Sequence, residues 1–295
     1  MRFITYQINE GVSSPGLLEL DYVIPLDETG KQRDIMEYVR AGRSGIEDAR
    51  QIADQYPIFK RIPLSKVKLL SPILKPTNNV FCVGRNYQEH IEEGDKVYGA
   101  NSGFAGVPPA PIFFTKPATS IIGPDADVLL HKITKRLDYE IELGVVIGKG
   151  GINITESDAF AHVWGYTIIN DITARYLQDH HKQWFKGKGL NTFCPIGPWV
   201  VPYDEILDPH GLAIHLTVNG ETRQKANTSQ MIFDIRRIIS ELSAAQTLEP
   251  GDVIATGTCS GCAFGMEPPA WLANGDSIEA SIEGIGTLRN TVREV

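Results

Sequence analysis

The chain has 295 residues, of which 42% are apolar and 22% are charged, and it contains 28 Gly and 18 Pro. This length suggests two domains, or one large domain with an extension, and it supports a hydrophobic core without a disulfide or zinc staple. The net charge of −8 and the lack of a lysine- or arginine-rich tract argue against a nucleic-acid partner. The Gly and Pro share exceeds the average of roughly 12%, which favours strands and turns over a helical bundle.

The sequence also argues against a membrane partner. It has no apolar run of the ~18 residues that are needed to cross a bilayer. Its first residues lack the basic region and apolar stretch of a signal peptide. Its four Cys are too widely spread for a disulfide framework, as is typical of cytosolic chains. We therefore expect a cytoplasmic, β-rich protein.

Residues 1–72 are predicted to form a small N-terminal α/β domain. RFITYQI alternates as a strand does, and YVIPL is a second strand candidate. RDIMEYVRAG and GIEDARQIADQY place apolar residues at helical spacing, and Gly42 is a plausible stop for the first helix. The proline-rich segment 62–76 is typical of a linker followed by an entry strand.

Residues 73–295 are predicted to form a larger, strand-dominated domain, which makes the fold class α+β. Helical patterns fall at 86–94, 156–163, 173–185 and 229–245. Strand patterns fall at 80–84, 111–116, 139–148, 163–170, 212–220, 252–258 and 276–284.

The segment LDYEIELGVVI carries three acidic residues at alternate positions. On a strand, Asp138, Glu140 and Glu142 share one face, and apolar residues line the other. Like charges on one face repel each other unless water or a cation relieves them, and hard divalent cations prefer oxygen ligands. From this pattern alone a solvated strand face is favoured over a Mg²⁺ or Mn²⁺ site.

A second acidic signal follows the apolar strand at 163–170. Either Asp171 or Thr173 could cap a helix that follows. A carboxylate at the end of a buried strand could also reach a metal ion held by a neighbouring strand. Both interpretations stay open at this point.

Two further segments carry candidate catalytic side chains. His90 and Glu93 are i, i+3 neighbours on a predicted helix, so the carboxylate could orient the imidazole as a general base acting on water. Lys188 lies in a predicted glycine-flanked turn between aromatic residues, where it could meet a substrate carboxylate or oxyanion. The alternatives are an exposed helix turn and a solvated lysine.

The cysteine motifs are weaker signals. GTCSG resembles a nucleophile elbow around Cys259, but that motif requires a following helix, which Pro268 and Pro269 interrupt. Cys259 and Cys262 also spell C-x-x-C, with no second ligand pair at zinc-motif spacing. Neither a cysteine nucleophile nor a redox or zinc motif is favoured.

Several motifs occur together and in order from Asn79 to the C-terminus. They are GRNYQEH, FTKPATSIIGP, LDYEIELGVVIGK, NDITAR, QWFKGKGLNTFCPIGPWVV, ATGT and GDSIEASIEGIGTLRN. Together they resemble the fumarylacetoacetate hydrolase family. The first 70 residues are similar to the extra domain of its longer bacterial members.

The resemblance implies a mixed β-roll catalytic domain that pairs as a homodimer and holds one Mg²⁺ or Mn²⁺ per subunit. Glu140, Glu142 and Asp171 would be the metal ligands. His90 and Glu93 would form a water-activating dyad on a mobile lid, and Lys188 would meet substrate oxygen. Arg85, Gln178 and Thr258 would bind the substrate.

The resemblance also implies the chemistry. It predicts a hydrolase that cleaves a C–C bond in a 2-oxo or 2,4-dioxo acid of the acylpyruvate or fumarylpyruvate type, as in aromatic catabolism, through an enolate stabilised by the metal. The alternative is a 5-carboxymethyl-2-hydroxymuconate-type isomerase or an oxaloacetate decarboxylase on the same site. Contacts between Glu92 and Pro109 are expected to select the substrate's side chain. The chain departs from the common family pattern at Tyr176, Gly189, Asn191 and Cys259.

Overall fold

The computed structural model describes residues 1–27, 33–99 and 106–295. Its strand elements are β1 (Arg2–Gln7), β2 (Ser13–Glu19), β3 (Tyr22–Pro25), β4 (Ile62–Pro63), β5 (Lys68–Leu70), β6 (Val80–Gly84), β7 (Ile112–Lys116), β8 (Ile121–Ile122), β9 (Asp127–Leu130), β10 (Leu137–Asp138), β11 (Ile141–Ile147), β12 (Val163–Asn170), β13 (Thr173–Ala174), β14 (Cys194–Pro202), β15 (Ala213–Val218), β16 (Glu221–Asn227), β17 (Val253–Thr258), β18 (Ser277–Ile282) and β19 (Gly286–Glu294). Its α-helices are α1 (Met36–Arg40), α2 (Arg43–Gln55), α3 (Gln88–Tyr98), α4 (Arg175–His181), α5 (Phe185–Lys188) and α6 (Ile235–Leu242). The fold is thus α+β and β-dominated, as predicted.

Mixed sheets organise these strands. The described residues form a twelve-stranded sheet with the path β4-β3-β2-β1-β14-β12-β11-β17-β6-β7, to which β5 adds beside β1 and β8 beside β14. A five-stranded sheet has the order β16-β15-β18-β19-β9, and β10 pairs with β13 separately. Most neighbours are antiparallel, whereas β6 runs parallel to β17.

The centre of the large sheet is buried on both faces. Every residue of β11 and β12 is buried, which explains why both strands read as nearly continuous apolar runs. Ile141 and Leu143 pack into the larger apolar cluster on one side, whereas Trp164 and Ile169 pack on the other side, against the N-terminal helices. The site described below is built at one end of these rigid central strands.

The N-terminal segment joins the same sheet. Phe3 of β1 pairs with Val200 of β14, and the ring centroids of Phe3 and Trp164 lie 4.7 Å apart. The indole N–H of Trp164 donates a 2.9 Å hydrogen bond to the carbonyl of Gly42. The domain boundary near residue 72 stays a prediction.

Several element predictions differ from the structure at their ends. The helix predicted over 173–185 is two helices, α4 and α5, which are separated near Lys182 at a φ of 59°. The helix predicted over 229–245 covers only Ile235–Leu242, since the Asp234 side chain accepts from the N–H of Arg237 and caps it there. The pattern at 156–163 forms only a short 3-10 turn at Ala159–His162.

No helix in the described parts of the chain is both long and apolar enough to span a bilayer.

Candidate active site

The antiparallel pairing of β11 with β12 brings Glu140 close to Asp171, which lies 31 positions further along the chain. Ile141 lies opposite Asn170 in the register. The N–H of Asp171 donates to the carbonyl of Glu140 (2.8 Å), and the N–H of Glu140 donates to Oδ1 of Asn170 (3.0 Å). The Asn170 side chain and the Asp171 backbone therefore hold the Asn-Asp dipeptide beside Glu140.

Glu140, Glu142 and Asp171 form a buried three-carboxylate cluster. One oxygen from each carboxylate lies within 4.8 Å of the others, and all three residues are less than 5% exposed. The solvated strand face that the alternation favoured is therefore wrong, because β11 is a central strand and not an edge. Asp138 is also fully buried, but it lies on β10, outside this cluster.

Lys188 lies in direct contact with this cluster. Its Nζ donates to Oε2 of Glu140 (2.6 Å) and to Oδ2 of Asp171 (2.7 Å). The residue is 3% exposed and ends helix α5. The predicted turn is thus a short helix and the solvated-lysine alternative is wrong, whereas contact of Lys188 with a substrate oxygen stays a prediction.

Two more cationic side chains neutralise the buried acids. Lys116, at the end of β7, donates to Oδ1 of Asp171 and to the carbonyl of Ile172 (3.1 Å). Arg175, the first residue of α4, donates through Nε to Oδ2 of Asp138 (2.8 Å) and through a terminal nitrogen to Glu140. Buried ion pairs of this kind require such close partners, because an unpaired buried charge is strongly unfavourable.

The two glutamates respond to these partners in opposite directions. Burial by itself raises the pKa of Glu140, but Lys188 and Arg175 outweigh it and lower the pKa to about 2. Burial raises the pKa of Glu142 well above its usual value, and the adjacent carboxylates of Asp171 and Glu140 raise it further. Among the described residues, Glu142 takes part in no ion pair, and its Oε2 accepts from the N–H of Gly257 (2.7 Å).

This donor set fits a hard divalent cation. Three carboxylates converge, and one of them has no ion pair among the described residues, so a dication there would offset the repulsion from Asp171 and Glu140 that adds to the effect of burial on the pKa of Glu142. Mg²⁺ and Mn²⁺ prefer oxygen ligands of this kind.

The capping alternative for Asp171 and Thr173 is wrong, because α4 follows Ala174 without a side-chain cap.

His90 and Glu93 lie on helix α3 beside the cluster. Nδ1 of His90 is 3.5 Å from Oε2 of Glu93, and Gly261 donates its N–H to Oε1 of Glu93 (2.7 Å). The helix is anchored just before its start by the buried Asn86, whose amide donates to the carbonyls of Phe233 and Thr256. The predicted i, i+3 geometry is therefore present, at a turn that is mostly buried.

A cavity of about 670 Å³ is lined by several of these groups. Its walls include the aromatic rings of Phe114, Trp184 and Phe264 beside the polar side chains of His90, Glu140, Glu142, Lys188, Arg85, Gln178 and Thr258. The three predicted substrate-binding residues thus face the same space as the candidate catalytic groups.

The partners of those three residues differ. Arg85 donates to Oδ1 of Asp95 (2.9 Å), and Gln178 accepts from Arg175 (3.2 Å). Thr258 donates to the carbonyl of Ile141 (2.9 Å).

The segment between Glu92 and Pro109 was expected to select the side chain of the substrate. Its residues 100–105 lie outside the described residues.

The cysteines lie just behind this wall. Burial raises the pKa of Cys259 to about 12 and holds that of Cys262 well above its usual value, so both thiols favour the protonated form. A 3-10 turn, Ala263–Gly265, follows them, in place of the helix that a nucleophile elbow needs.

Comparison with known proteins identifies the family. The model of the fumarylacetoacetate (FAA) hydrolase C-terminal domain matches residues 79–293. The chain belongs to the fumarylacetoacetate hydrolase family.

Individual family members are similar over nearly the whole chain. Oxaloacetate tautomerase YisK of Bacillus subtilis is 45% identical over 267 residues, 88% of this chain and 86% of its own. Among solved structures, a fumarylacetoacetate hydrolase from Exiguobacterium antarcticum matches with a TM-score of 0.83 and 38% identity, with both chains fully covered. A 5-carboxymethyl-2-hydroxymuconate delta-isomerase from Mycobacterium smegmatis matches with a TM-score of 0.76 and 32% identity, again over both full chains.

Three functional candidates were missed, although the family motifs contain all of them. Lys116 is the lysine of FTKP, and Arg175 is the arginine of NDITAR, but no local pattern shows that they pair with acids far along the chain. Asn86 follows Arg85 in the GRNYQEH segment. Its complete burial, at 0% exposed, is a tertiary property that a polar residue at the start of a predicted helix does not indicate.

One departure from the family pattern has a local explanation. At Gly189, where serine is usual, an added Cβ would lie 2.9 Å from the carbonyl oxygen of Phe185 and 3.0 Å from Cδ of Pro117. Pro117 directly follows the buried Lys116. The close packing of α5 on this segment therefore favours glycine after Lys188.

Proposed function

We propose that this protein is a divalent-metal-dependent enzyme that isomerises a 2-oxo dicarboxylic acid, with keto–enol exchange of an oxaloacetate-type substrate as the leading reaction. The observation that carries the proposal is that His90, which lies beside Glu93, faces the same cavity as Glu140 and Glu142 of the three-carboxylate cluster. The similarity to an oxaloacetate tautomerase and to a hydroxymuconate isomerase supports the isomerase alternative over the hydrolase that the motifs put first.

Glu140, Glu142 and Asp171 would hold the cation, with Mg²⁺ or Mn²⁺ as the candidates. When bound, such a cation acts as a Lewis acid toward the substrate's carboxylate and 2-oxo oxygens. Glu142 lies on β11, Glu140 directly precedes β11 and Asp171 directly follows β12, and hydrogen bonds join the segments of Glu140 and Asp171, so their positions are set before substrate binds.

His90 is the proposed acid–base group. Nδ1 is the ring nitrogen near Glu93, which leaves Nε2 to take a proton from the carbon beside the 2-oxo group. The carboxylate of Glu93 stabilises the imidazolium that forms. Returning the proton to an oxygen or carbon of the same substrate completes an isomerisation in which no bond between heavy atoms breaks.

Lys188 would support the negative charge that develops on the substrate oxygen. Its Nζ already lies among carboxylate oxygens, and those ion pairs hold it protonated: burial lowers the pKa of Lys188, but Asp171 and Glu140 outweigh this and raise it overall. Arg85, Gln178 and Thr258 would contact the rest of the substrate from the cavity wall.

Hydrolysis of an acylpyruvate remains a second candidate. The cavity of about 670 Å³ exceeds what a four-carbon acid fills, and its wall carries Phe114, Trp184 and Phe264. A His–Glu pair that removes a proton from carbon can also remove one from water. From the family resemblance we further propose a homodimer in the cytoplasm.

A substrate panel tests both candidates. The protein is mixed with enol-oxaloacetate, a hydroxymuconate-type diacid, acylpyruvates and fumarylpyruvate, with Mg²⁺, with Mn²⁺ or with EDTA. Tautomerisation appears as metal-dependent loss of the enol absorbance without release of pyruvate, whereas hydrolysis or decarboxylation releases pyruvate. The proposal fails if no substrate reacts faster with metal than with EDTA.

A further inference from the structure

A second group of metal-ligating side chains lies beside the three-carboxylate cluster. His90, Glu140 and Cys262 each offer one ligand atom, and these three atoms lie within 4.8 Å of one another. They come from helix α3, from the residue before β11 and from the segment after β17. The fold, and not a local sequence motif, therefore brings them together.

The ligand chemistry of this group differs from that of the carboxylate cluster. An imidazole nitrogen, a thiolate sulfur and a carboxylate oxygen form a set typical of Zn²⁺. Thiolate ligands select soft or borderline cations over Mg²⁺. We propose that His90, Cys262 and Glu140 form a binding site for a thiophilic divalent cation such as Zn²⁺.

The spacing of the two best-defined atoms supports this proposal. Sγ of Cys262 lies 3.7 Å from Nδ1 of His90. Two ligands at zinc–sulfur and zinc–nitrogen bond lengths of about 2.3 and 2.05 Å, in a tetrahedral arrangement, are roughly 3.6 Å apart. The sulfur and nitrogen thus already have the separation that a shared zinc ion requires.

A buried oxygen at the same place is a further observation. Oε2 of Glu93 is buried with no hydrogen-bond partner in the described residues, and it lies 3.5 Å from Nδ1 of His90. A cation between Nδ1 and Sγ would give this oxygen a positive neighbour. His90 and Glu140 line the cavity, so an entering cation meets them first and reaches Cys262 behind them.

The site has a consequence for the proposed catalysis. A cation on Nδ1 separates His90 from Glu93, and it occupies a carboxylate that the Mg²⁺ or Mn²⁺ site also needs. On binding, the Cys262 thiol loses its proton to solvent and the thiolate donates to the cation. Zn²⁺ therefore inhibits the enzyme, a consequence that rests on the proposed function, whereas the binding itself does not.

Cobalt is the probe that identifies the ligands. Co²⁺ titrated into the metal-free protein should give a thiolate-to-cobalt charge-transfer band in the near ultraviolet, which Zn²⁺ abolishes. Cys262→Ser should lose the band. Cys259→Ser is the matched control and should keep it, since Cys259 belongs to no such group in the described residues. A wild-type protein without the band, or a band that survives Cys262→Ser, overturns the proposal.

A second measurement avoids dependence on the variant's folding. X-ray absorption of the zinc-loaded wild type should contain one sulfur at about 2.3 Å, and a shell of oxygen and nitrogen alone contradicts the site. In the activity assay, Cys262→Ser should raise the half-inhibitory Zn²⁺ concentration at least about tenfold. Failure of the proposed catalysis would leave the cobalt and absorption results intact, so the two hypotheses are separable.

Discussion

The backbone N–H of Gly261 donates a 2.7 Å hydrogen bond to Oε1 of Glu93, whose other oxygen lies 3.5 Å from Nδ1 of His90. The carboxylate is therefore held by a segment 168 residues further along the chain. Because this bond fixes one oxygen, the other is directed at the imidazole. The orientation of the proposed base thus depends on the docking of α3 against the loop after β17.

Glu93→Gln should lower kcat about 10²- to 10⁴-fold, the usual contribution of a positioned acid–base group. The side-chain amide of the new glutamine can still accept the hydrogen bond from the N–H of Gly261, but it is neutral and cannot stabilise an imidazolium. Steady-state kinetics with saturating Mg²⁺ measure the loss, and metal binding should be unchanged. Glu92→Gln, on the exposed side of the same helix, is the control and should retain activity. Native kcat in Glu93→Gln would exclude a dyad.

Ser260→Ala should loosen the docking of α3. The Ser260 hydroxyl donates a 2.8 Å hydrogen bond to Oε2 of Glu89. Such a bond contributes about 0.5–1.5 kcal/mol, so its loss should make opening of the helix roughly 2- to 13-fold more frequent. Hydrogen exchange at the amides of α3 measures this change. Ser44→Ala removes a comparable 2.8 Å hydroxyl bond, to the carbonyl of Ala41, and should leave α3 unaffected. Equal exchange in both variants would mean that Ser260 does not hold the helix.

Lys188→Met should destabilise the metal-free protein by about 3–5 kcal/mol, because Glu140 and Asp171 lose a buried cationic partner. Mg²⁺ should recover more stability in this variant than in the wild type, since the added cation replaces the missing charge. Denaturant unfolding with and without Mg²⁺ measures both effects. The exposed Lys186→Met on the same helix is the control. An identical Mg²⁺ response in wild type and Lys188→Met would contradict cation binding at these carboxylates.

His210 should make stability fall as the pH is lowered. Burial lowers the pKa of His210 from its usual 6.5, and Arg236 lowers it further while Asp234 partly opposes. Near pH 6.5 His210 therefore binds a proton in the unfolded chain more readily than in the folded chain. The free energy of unfolding decreases from about pH 7.5 downward until the lowered folded pKa is passed.

His210→Gln tests this pH dependence. A glutamine oxygen can still accept from the N–H of Ile235, which now donates to Nε2 of His210 at 3.2 Å. The stability of the wild type relative to the variant should decrease as the pH falls from about 7.5 to about 5.5. Parallel stability curves for the two proteins would show that His210 does not titrate differently on folding.

The sequence predicted the identity of the clustered residues better than their surroundings. Glu140, Glu142 and Asp171 were assigned from ordered family motifs, and the structure brings them together. The alternation of acidic and apolar residues could not predict their burial. The same alternation is expected for an acidic strand at a surface and for one that is buried around a charged centre. Lys188 shows the same limit, since its glycine neighbours indicate a turn, whereas its buried position depends on distant acids.

The long-range ion pairs were the least predictable part. Lys116 and Asp171 are 55 residues apart, and Arg175 and Asp138 are 37 apart. No periodicity connects such positions, and each lysine or arginine considered alone is most often a surface residue. The strands of the core were predictable for the opposite reason, since β6 and β12 are local apolar runs whose bounds the structure reproduces.

Trp164→Phe tests how the N-terminal segment depends on the central sheet. The variant keeps a ring near Phe3 but loses the 2.9 Å bond to the carbonyl of Gly42, so we expect a loss of about 1–3 kcal/mol in unfolding free energy. Limited proteolysis should cut residues 1–72 before the remainder, because the lost contact joins these two parts. Trp271→Phe, which packs on the other apolar cluster, is the control and should not favour N-terminal cleavage. If cleavage is equally distributed in Trp164→Phe, residues 1–72 unfold together with the strands they pair with, and the boundary near residue 72 does not separate two domains.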